Sequence, residues 1–269
     1  MNRSSLQGLP SPPLAGAVVL VTGGGAGIGT AIAEEVSRRG AHVGVTDSDP
    51  TAASAVAERL TAGGARSCSA LVDVTDPSSI RAGAEAVESA LGPITHWVSN
   101  AGVSSMGRFA ELSEAEWDRN MDVNAKGVFL CGQEAARRFA NRGGVIVNIA
   151  SMAGKQGRVP YLAHYVASKF AVVGLTQAMA FELAAVGIRV NCVCPGFVAT
   201  AMQDRELHWE AELRGVTPDE IRDGWIASTP MARLEQPGDV AVAVAYLCSD
   251  DSRFVTGEAL AVNGGAYMD

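Results

Sequence analysis

Tyr165 and Lys169 stand four residues apart in Tyr165-Val166-Ala167-Ser168-Lys169. On a helix that spacing puts both side chains on one face, where they approach the same point. A cation beside a phenol favours the phenolate. Lowering a phenol from about 10 towards about 7 takes roughly three pKa units, or about 4 kcal/mol, a magnitude that one ammonium and one further positive charge supply together in a dry pocket. The tyrosine then becomes a usable general base near neutral pH. Ser151 precedes Tyr165 by fourteen residues and follows the apolar run Val145–Ile149, a position from which its hydroxyl can orient a substrate oxygen. Taken singly, Tyr165 and Lys169 read as an amphipathic surface pair and Ser151 as a helix cap.

A second group of residues has the chemistry of phosphate binding. Val21-Thr22-Gly23-Gly24-Gly25-Ala26-Gly27-Ile28-Gly29 joins an apolar run to an alanine-rich helical pattern. At such a junction exposed backbone N–H groups and the helix dipole favour a pyrophosphate. The spacing is G-x-x-x-G-x-G over Gly23, Gly27 and Gly29, not the commoner G-x-G-x-x-G, so the glycines alone also fit an ordinary tight turn. Asp47 lies eighteen residues past Gly29 at the end of the next apolar run, where a carboxylate accepts from both hydroxyls of an adenosine ribose and repels a 2′-phosphate. No Lys or Arg occupies the glycine turn, and Ser48 follows Asp47, which favours NAD over NADP on Coulomb grounds. The other reading of Asp47 is turn chemistry, since Asp47-Ser48-Asp49-Pro50 makes a good helix entry.

Thr22-Gly23-x-x-x-Gly27-x-Gly29, Asp73, Asn100-Ala101-Gly102, Asn124, Ser151, Tyr165-x-x-x-Lys169 and Pro195-Gly196 together closely resemble, in order and spacing, the short-chain dehydrogenases/reductases, from about residue 15 to 265. The resemblance implies that Tyr165 is the general acid/base, that Lys169 lowers its pKa and holds the nicotinamide ribose, and that Ser151 positions the substrate oxygen. It implies a water-linked proton relay supported by Asn124. By the same likeness Asp73 and Val74 contact adenine, Asn100, Ala101 and Gly102 secure the edge beside the cofactor, and Pro195, Gly196, Val198 and Thr200 wrap the nicotinamide end. The family forms dimers or tetramers through its long helices, and the Ala/Gly-rich faces of 117–141 and 161–185 lead us to expect a homotetramer.

These residues need a scaffold, and the chain has one rhythm. Seven short apolar or β-branched runs recur at Val18–Val21, His42–Val45, Ser69–Val72, Thr95–Val98, Val145–Ile149, Ile188–Val193 and Ala259–Val262. Helical patterns lie between them, over about 28–39, 51–62, 77–91, 117–141, 161–185 and 237–248. Runs apolar on both faces and separated by helices predict a doubly wound α/β fold: one Rossmann-type domain with a parallel seven-stranded sheet covered on both sides. Residues 1–16, with Pro10, Pro12 and Pro13, read as a flexible leader to a single domain over 17–269. Met202–Thr229 breaks the rhythm and reads as a helical flap over a substrate, its Met202, Trp209, Leu213 and Trp225 fitting either a pocket lining or a sealed underside.

Composition narrows the partners. With 21 basic against 29 acidic side chains the net charge is −8, which opposes nucleic-acid binding. The longest apolar stretch noted, Leu14–Val21, contains Gly16 and is far short of a membrane span. Five scattered cysteines without a C-x-x-C pair argue against a disulfide framework and fit a reducing, cytoplasmic compartment. The four histidines lack metal-ligand spacing, so no metal is expected. His164 points about 100° away from Tyr165 around a helix and reads as packing, and Cys192 and Cys194 read as buried thiols on one strand face. The expected activity is hydride transfer between NAD and a secondary alcohol, with a polyol or sugar alcohol as the associated guess. A carbonyl reductase running in reverse and a non-catalytic NAD sensor are the alternatives.

Overall fold

The computed structural model describes residues 13–268. Seven strands form one parallel sheet in the order β3-β2-β1-β4-β5-β6-β7: β1 Val18–Thr22, β2 His42–Asp47, β3 Ser67–Leu71, β4 His96–Ser99, β5 Gly144–Ile149, β6 Ile188–Pro195 and β7 Ala259–Val262. The strand order reverses between β1 and β4, and a crevice opens there at the carboxyl ends of the strands. Each strand is followed by at least one helix, apart from β7. The series runs α1 Gly27–Arg38, α2 Pro50–Ala62, α3 Pro77–Leu91, α4 Glu114–Asn120, α5 Gly127–Phe139, α6 Ala163–Leu183, α7 Ala201–Arg214, α8 Pro218–Ala227 and α9 Pro237–Cys248.

Period-two alternation sorts the strand side chains onto two cores. Val19 and Val21 of β1 face a layer built with Ile32 and Val36 of α1 and Val240 and Val244 of α9. Val18 and Leu20 face the opposite layer with Ile80 and Val87 of α3, Trp97, and Phe139 of α5. Local chemistry sets the helix ends. Asp49 and Asp76 cap α2 and α3 through their carboxylates, each followed by proline in the first turn. Ser113 with Glu116, and Thr217 with Glu220, close capping boxes on α4 and α8.

Three details differ from the sequence reading, and one open alternative is resolved. The helix expected over 117–141 begins earlier, at Glu114 behind the Ser113 cap, and passes through a π-helical turn over Met121–Lys126 before α5. Periodicity of 3.6 does not register one widened turn. The leader is not separate up to residue 16: Leu14 is buried in the first core layer, and its N–H donates to Arg39 O at 3.0 Å. The rest of that segment, residues 1–12, and Asp269 lie outside the described residues. The segment over Met202–Thr229 folds as most of α7 and all of α8, and Trp225 closes the apolar side between them by stacking on Phe197 at 5.1 Å in a cluster with Leu207, Ala211 and Ile221. Finally, Ala163–Val186 is long and apolar enough, at a mean hydropathy of 1.4, to cross a membrane by length and composition. Lys169 and Glu182 interrupt the apolar run in the sequence, and the helix packs against β6 and the π-helical turn.

Phe139 is fully buried, and Gly144 packs so closely on its ring that a Cβ there would lie 2.5 Å from Cδ2. Phe139→Ala empties that contact and is expected to cost about 3–5 kcal/mol of unfolding free energy. Urea denaturation checks it, and a loss under about 1 kcal/mol would show that the second core layer is loosely packed.

Candidate active site

The turn after β1 is held against the end of β4 by a compact set of bonds. Thr22 Oγ1 accepts from Asn100 N at 3.0 Å and Ala101 N at 3.2 Å, and Asn100 Nδ2 donates to Thr22 O and Gly23 O at 3.0 and 2.9 Å. Gly29 packs directly on this turn: a Cβ would sit 2.0 Å from Gly23 O, so only glycine lets α1 start so close to the strand. Ala26 at the N-cap of α1 offers no side-chain acceptor, and the first turn carries no acidic residue. The first N–H groups of α1 therefore lack the side-chain caps seen on α2 and α3, and their dipole end faces the crevice. Asp47, at the end of β2, accepts from Gly25 N through Oδ2 and from Asp49 N through Oδ1, both at 3.0 Å. Both readings of Asp47 thus hold in one residue: it organises the helix entry and presents a carboxylate at the crevice.

A cavity of about 570 Å³ runs along the crevice. Gly23, Gly27, Ile28 and Asp47 line it from β1, α1 and β2; Asp73 and Val74 from the end of β3; Asn100, Ala101 and Gly102 from the end of β4. Ser151 lines it past β5, Tyr165 and Lys169 from α6, and Pro195, Gly196, Val198 and Thr200 past β6. Of the catalytic and cofactor residues expected from the sequence, Gly29 and Asn124 do not line it; of Met202, Trp209, Leu213 and Trp225, Met202 alone does. The Asn124 side chain is engaged elsewhere. Its Oδ1 accepts from Val103 N at 2.8 Å, and its Nδ2 donates to Val103 O at 2.9 Å and Ser168 Oγ at 3.1 Å. The π-helical turn delivers this fully buried amide, which ties the segment after β4 to α6. Its side chain positions these two elements.

On α6, Lys169 Nζ donates to Ile149 O at 3.0 Å and stands 5.5 Å from the centre of the Tyr165 ring. Gly102 leaves this corner open, since a Cβ there would meet Asn124 Oδ1 at 3.3 Å and Lys169 Nζ at 3.7 Å. Burial pushes the Lys169 ammonium down to about 8. Burial also raises the Tyr165 phenol above its ordinary value, Glu206 adds to the rise, and a hydrogen bond from Ser151 opposes it. Within the chain alone, desolvation and Glu206 outweigh the Ser151 hydrogen bond, so lowering the phenol depends on added positive charge. Ser151 also accepts from Ala153 N at 3.1 Å, so its role as a cap coexists with its place on the cavity wall.

Among the further cavity-lining residues that the sequence does not single out are the polar side chains Arg119, Gln203, Arg205 and Glu206. Glu206 is buried on α7, with Gln203 Nε2 donating to its Oε2 at 2.9 Å. The signal was available: Leu207 and Ala211 mark the inward face of α7, and Glu206 and Glu210 share it. Glu235 was also passed over; its Oε2 accepts from Gly196 N at 2.8 Å and fixes the loop after β6. His164 is buried with Nε2 2.8 Å from Ser105 Oγ, and Cys192 and Cys194 share one core cluster.

Lys169 carries a stability consequence. Its folded pKa, about 8, is below the ordinary 10.5, so the unfolded chain binds more protons between those values. The buried ammonium therefore costs most below pH 8, and the cost fades as pH rises towards 10.5. Lys169→Met should abolish activity yet raise stability at pH 7 by about 1–3 kcal/mol, with the gain shrinking by pH 10. Urea midpoints at the two pH values test this, and a variant less stable than the parent at pH 7 would contradict it.

Comparison with known proteins agrees with this architecture. Residues 23–267 match a protein-family model described as enoyl-(acyl carrier protein) reductase. The chain is 41% identical over 249 residues to 2-(S)-hydroxypropyl-CoM dehydrogenase 3 of Xanthobacter autotrophicus, covering 92% of this chain and 95% of that protein. It is 38% identical to the 3-oxoacyl-(acyl-carrier-protein) reductase FabG of Staphylococcus aureus, over 93% of this chain and 97% of that one. It is also 38% identical to a (3R)-3-hydroxyacyl-CoA dehydrogenase of Canis lupus familiaris, over 95% and 98%. A crystal structure of a short-chain type dehydrogenase/reductase from Mycobacterium marinum superposes with a TM-score of 0.87 at 33% identity, covering 96% of this chain and 98% of that one. A single sheet with its strand-end crevice, a tyrosine and lysine on one helix face and relatives named for hydroxyl or keto chemistry lead to one assignment: the chain belongs to the short-chain dehydrogenase/reductase family, nicotinamide-dependent oxidoreductases of hydroxyl and carbonyl groups.

Proposed function

We propose that the protein is an NAD-dependent dehydrogenase that oxidises a secondary alcohol, with Tyr165 as the base. The observation that carries this reading is the convergence of Ser151, Tyr165 and Lys169 on one cavity whose far wall holds Asp47.

The chain's own residues fit the cofactor. The uncapped N-terminus of α1, with Gly23, Gly27 and Ile28, presents N–H groups and a dipole suited to a pyrophosphate. Asp47 suits an adenosine ribose with free hydroxyls, and its charge opposes a 2′-phosphate. Asp73 and Val74 would face adenine, Asn100, Ala101 and Gly102 the adjoining edge, and Pro195, Gly196, Val198 and Thr200 the nicotinamide end. NAD, when bound, supplies the hydride acceptor and the second positive charge.

Lys169 and that charge then favour the Tyr165 phenolate, which accepts the proton of the alcohol as its carbon loses hydride. Ser151 donates to the oxygen and orients it. Asn124 holds Gly102-Val103 and α6 in register. Run in reverse, the same groups protonate a carbonyl oxygen, so the cofactor ratio sets direction. An NAD sensor without turnover would have no need of a buried lysine beside a tyrosine. α7 and α8 serve as the cover over the substrate. Exposed Phe129 on α5 with Phe170 and Phe181 on α6 supports homo-oligomer formation, a tetramer being the expected state. Five unpaired cysteines support a reducing, cytoplasmic setting.

Tyr165→Phe is expected to lower kcat at least a thousandfold while NAD still binds, because only the proton-transfer group is lost. Turnover near the parent level would remove Tyr165 from its role. Asp47→Ala should cut the NAD over NADP ratio of kcat/KM at least tenfold. An unchanged ratio would place discrimination elsewhere.

A further inference from the structure

The flap brings a carboxylate to the catalytic corner. Glu206 is only 9% exposed, lines the same cavity as Tyr165, and is near enough to raise the pKa of both Tyr165 and Lys169. Gln203 serves one of its oxygens. Burial raises the Glu206 carboxyl above its ordinary value, and the Ser104 hydroxyl beside it opposes the rise. A buried carboxyl on a cavity wall is costly unless a ligand completes its hydrogen bonding.

We propose that Glu206 is the specificity-determining residue of the substrate pocket and selects alcohols that carry a second, neutral hydrogen-bond donor next to the reacting carbinol, a vicinal hydroxyl above all. Glu206 accepts from that second hydroxyl. A neighbouring carboxylate or phosphate on the substrate is repelled by Glu206. A neighbouring ammonium meets Lys169 and, with Arg119 and Arg205 also on the cavity wall, a cationic surround. A neutral hydroxyl satisfies the carboxylate without adding charge. This rests on the dehydrogenase reading above and names the substrate class for it.

The probes are 2,3-butanediol, 3-methoxy-2-butanol and 2-butanol, assayed by NAD reduction with the parent enzyme, Glu206→Gln and Glu206→Leu. For the parent, kcat/KM is expected to be at least tenfold higher for the diol than for either probe lacking the second O–H. In Glu206→Leu the ratio falls to near one through a raised KM for the diol, and Glu206→Gln, which keeps a neutral acceptor, lies between. KM for NAD stays within a factor of two, a pattern that general unfolding would not produce. Equal or better turnover of 2-butanol by the parent, or a diol preference that survives Glu206→Leu, overturns the proposal and leaves the dehydrogenase reading standing. If the variants do not fold, the comparison of diol with methyl ether in the parent decides alone. NAD binding with no oxidation of any of the three alcohols would instead refute both the secondary-alcohol reading and this proposal.

Discussion

An ammonium without water is expensive, and this fold accepts the cost at one place. Lys169 is buried at the carboxyl end of β5, its Nζ bonded to Ile149 O, and its ionisation is pulled down to about 8. Much of the surrounding structure serves that position. Gly102 leaves room for it, Asn124 ties the segment after β4 to α6, and the π-helical turn aims Asn124. The switch of strand order between β1 and β4 opens the crevice onto which Lys169 and Tyr165 look.

Charge within the crevice is then divided by position. Asp47 stands at the β2 end, where it also orders the glycine turn through Gly25 N. Lys169 lines the crevice from α6, and Glu206 from α7. In the chain alone, burial and Glu206 both hold Tyr165 protonated. A base assembled in this way stays inactive until positive charge arrives in the crevice, which links proton removal to occupancy by an oxidised cofactor.

The architecture was legible because parallel strands buried on both faces announce themselves as short β-branched runs; each of the seven runs overlaps a strand, and Val18, His42, Ile188 and Ala259 begin theirs as expected. The crevice residues were legible because they sit at strand ends, which sequence places well. What escaped has a physical reason in each instance. The π-helical turn adds one residue to a helical period and leaves no mark in composition. The Asn124 amide is held by Val103 and Ser168, a tertiary pairing that spacing does not encode. Glu206 and Glu235 were lost among ordinary surface charges, since burial of a carboxylate depends on what packs over it.

Carbon-13 labelling of the tyrosine Cζ atoms gives the most direct test, because the chain has only four tyrosines to assign. NMR titration of the free protein should show the Tyr165 phenol un-ionised through pH 10. With oxidised NAD added, its midpoint should fall by at least two pH units, with no such signal in Tyr165→Phe. A midpoint that stays above 10 with the cofactor bound would contradict the account at its centre.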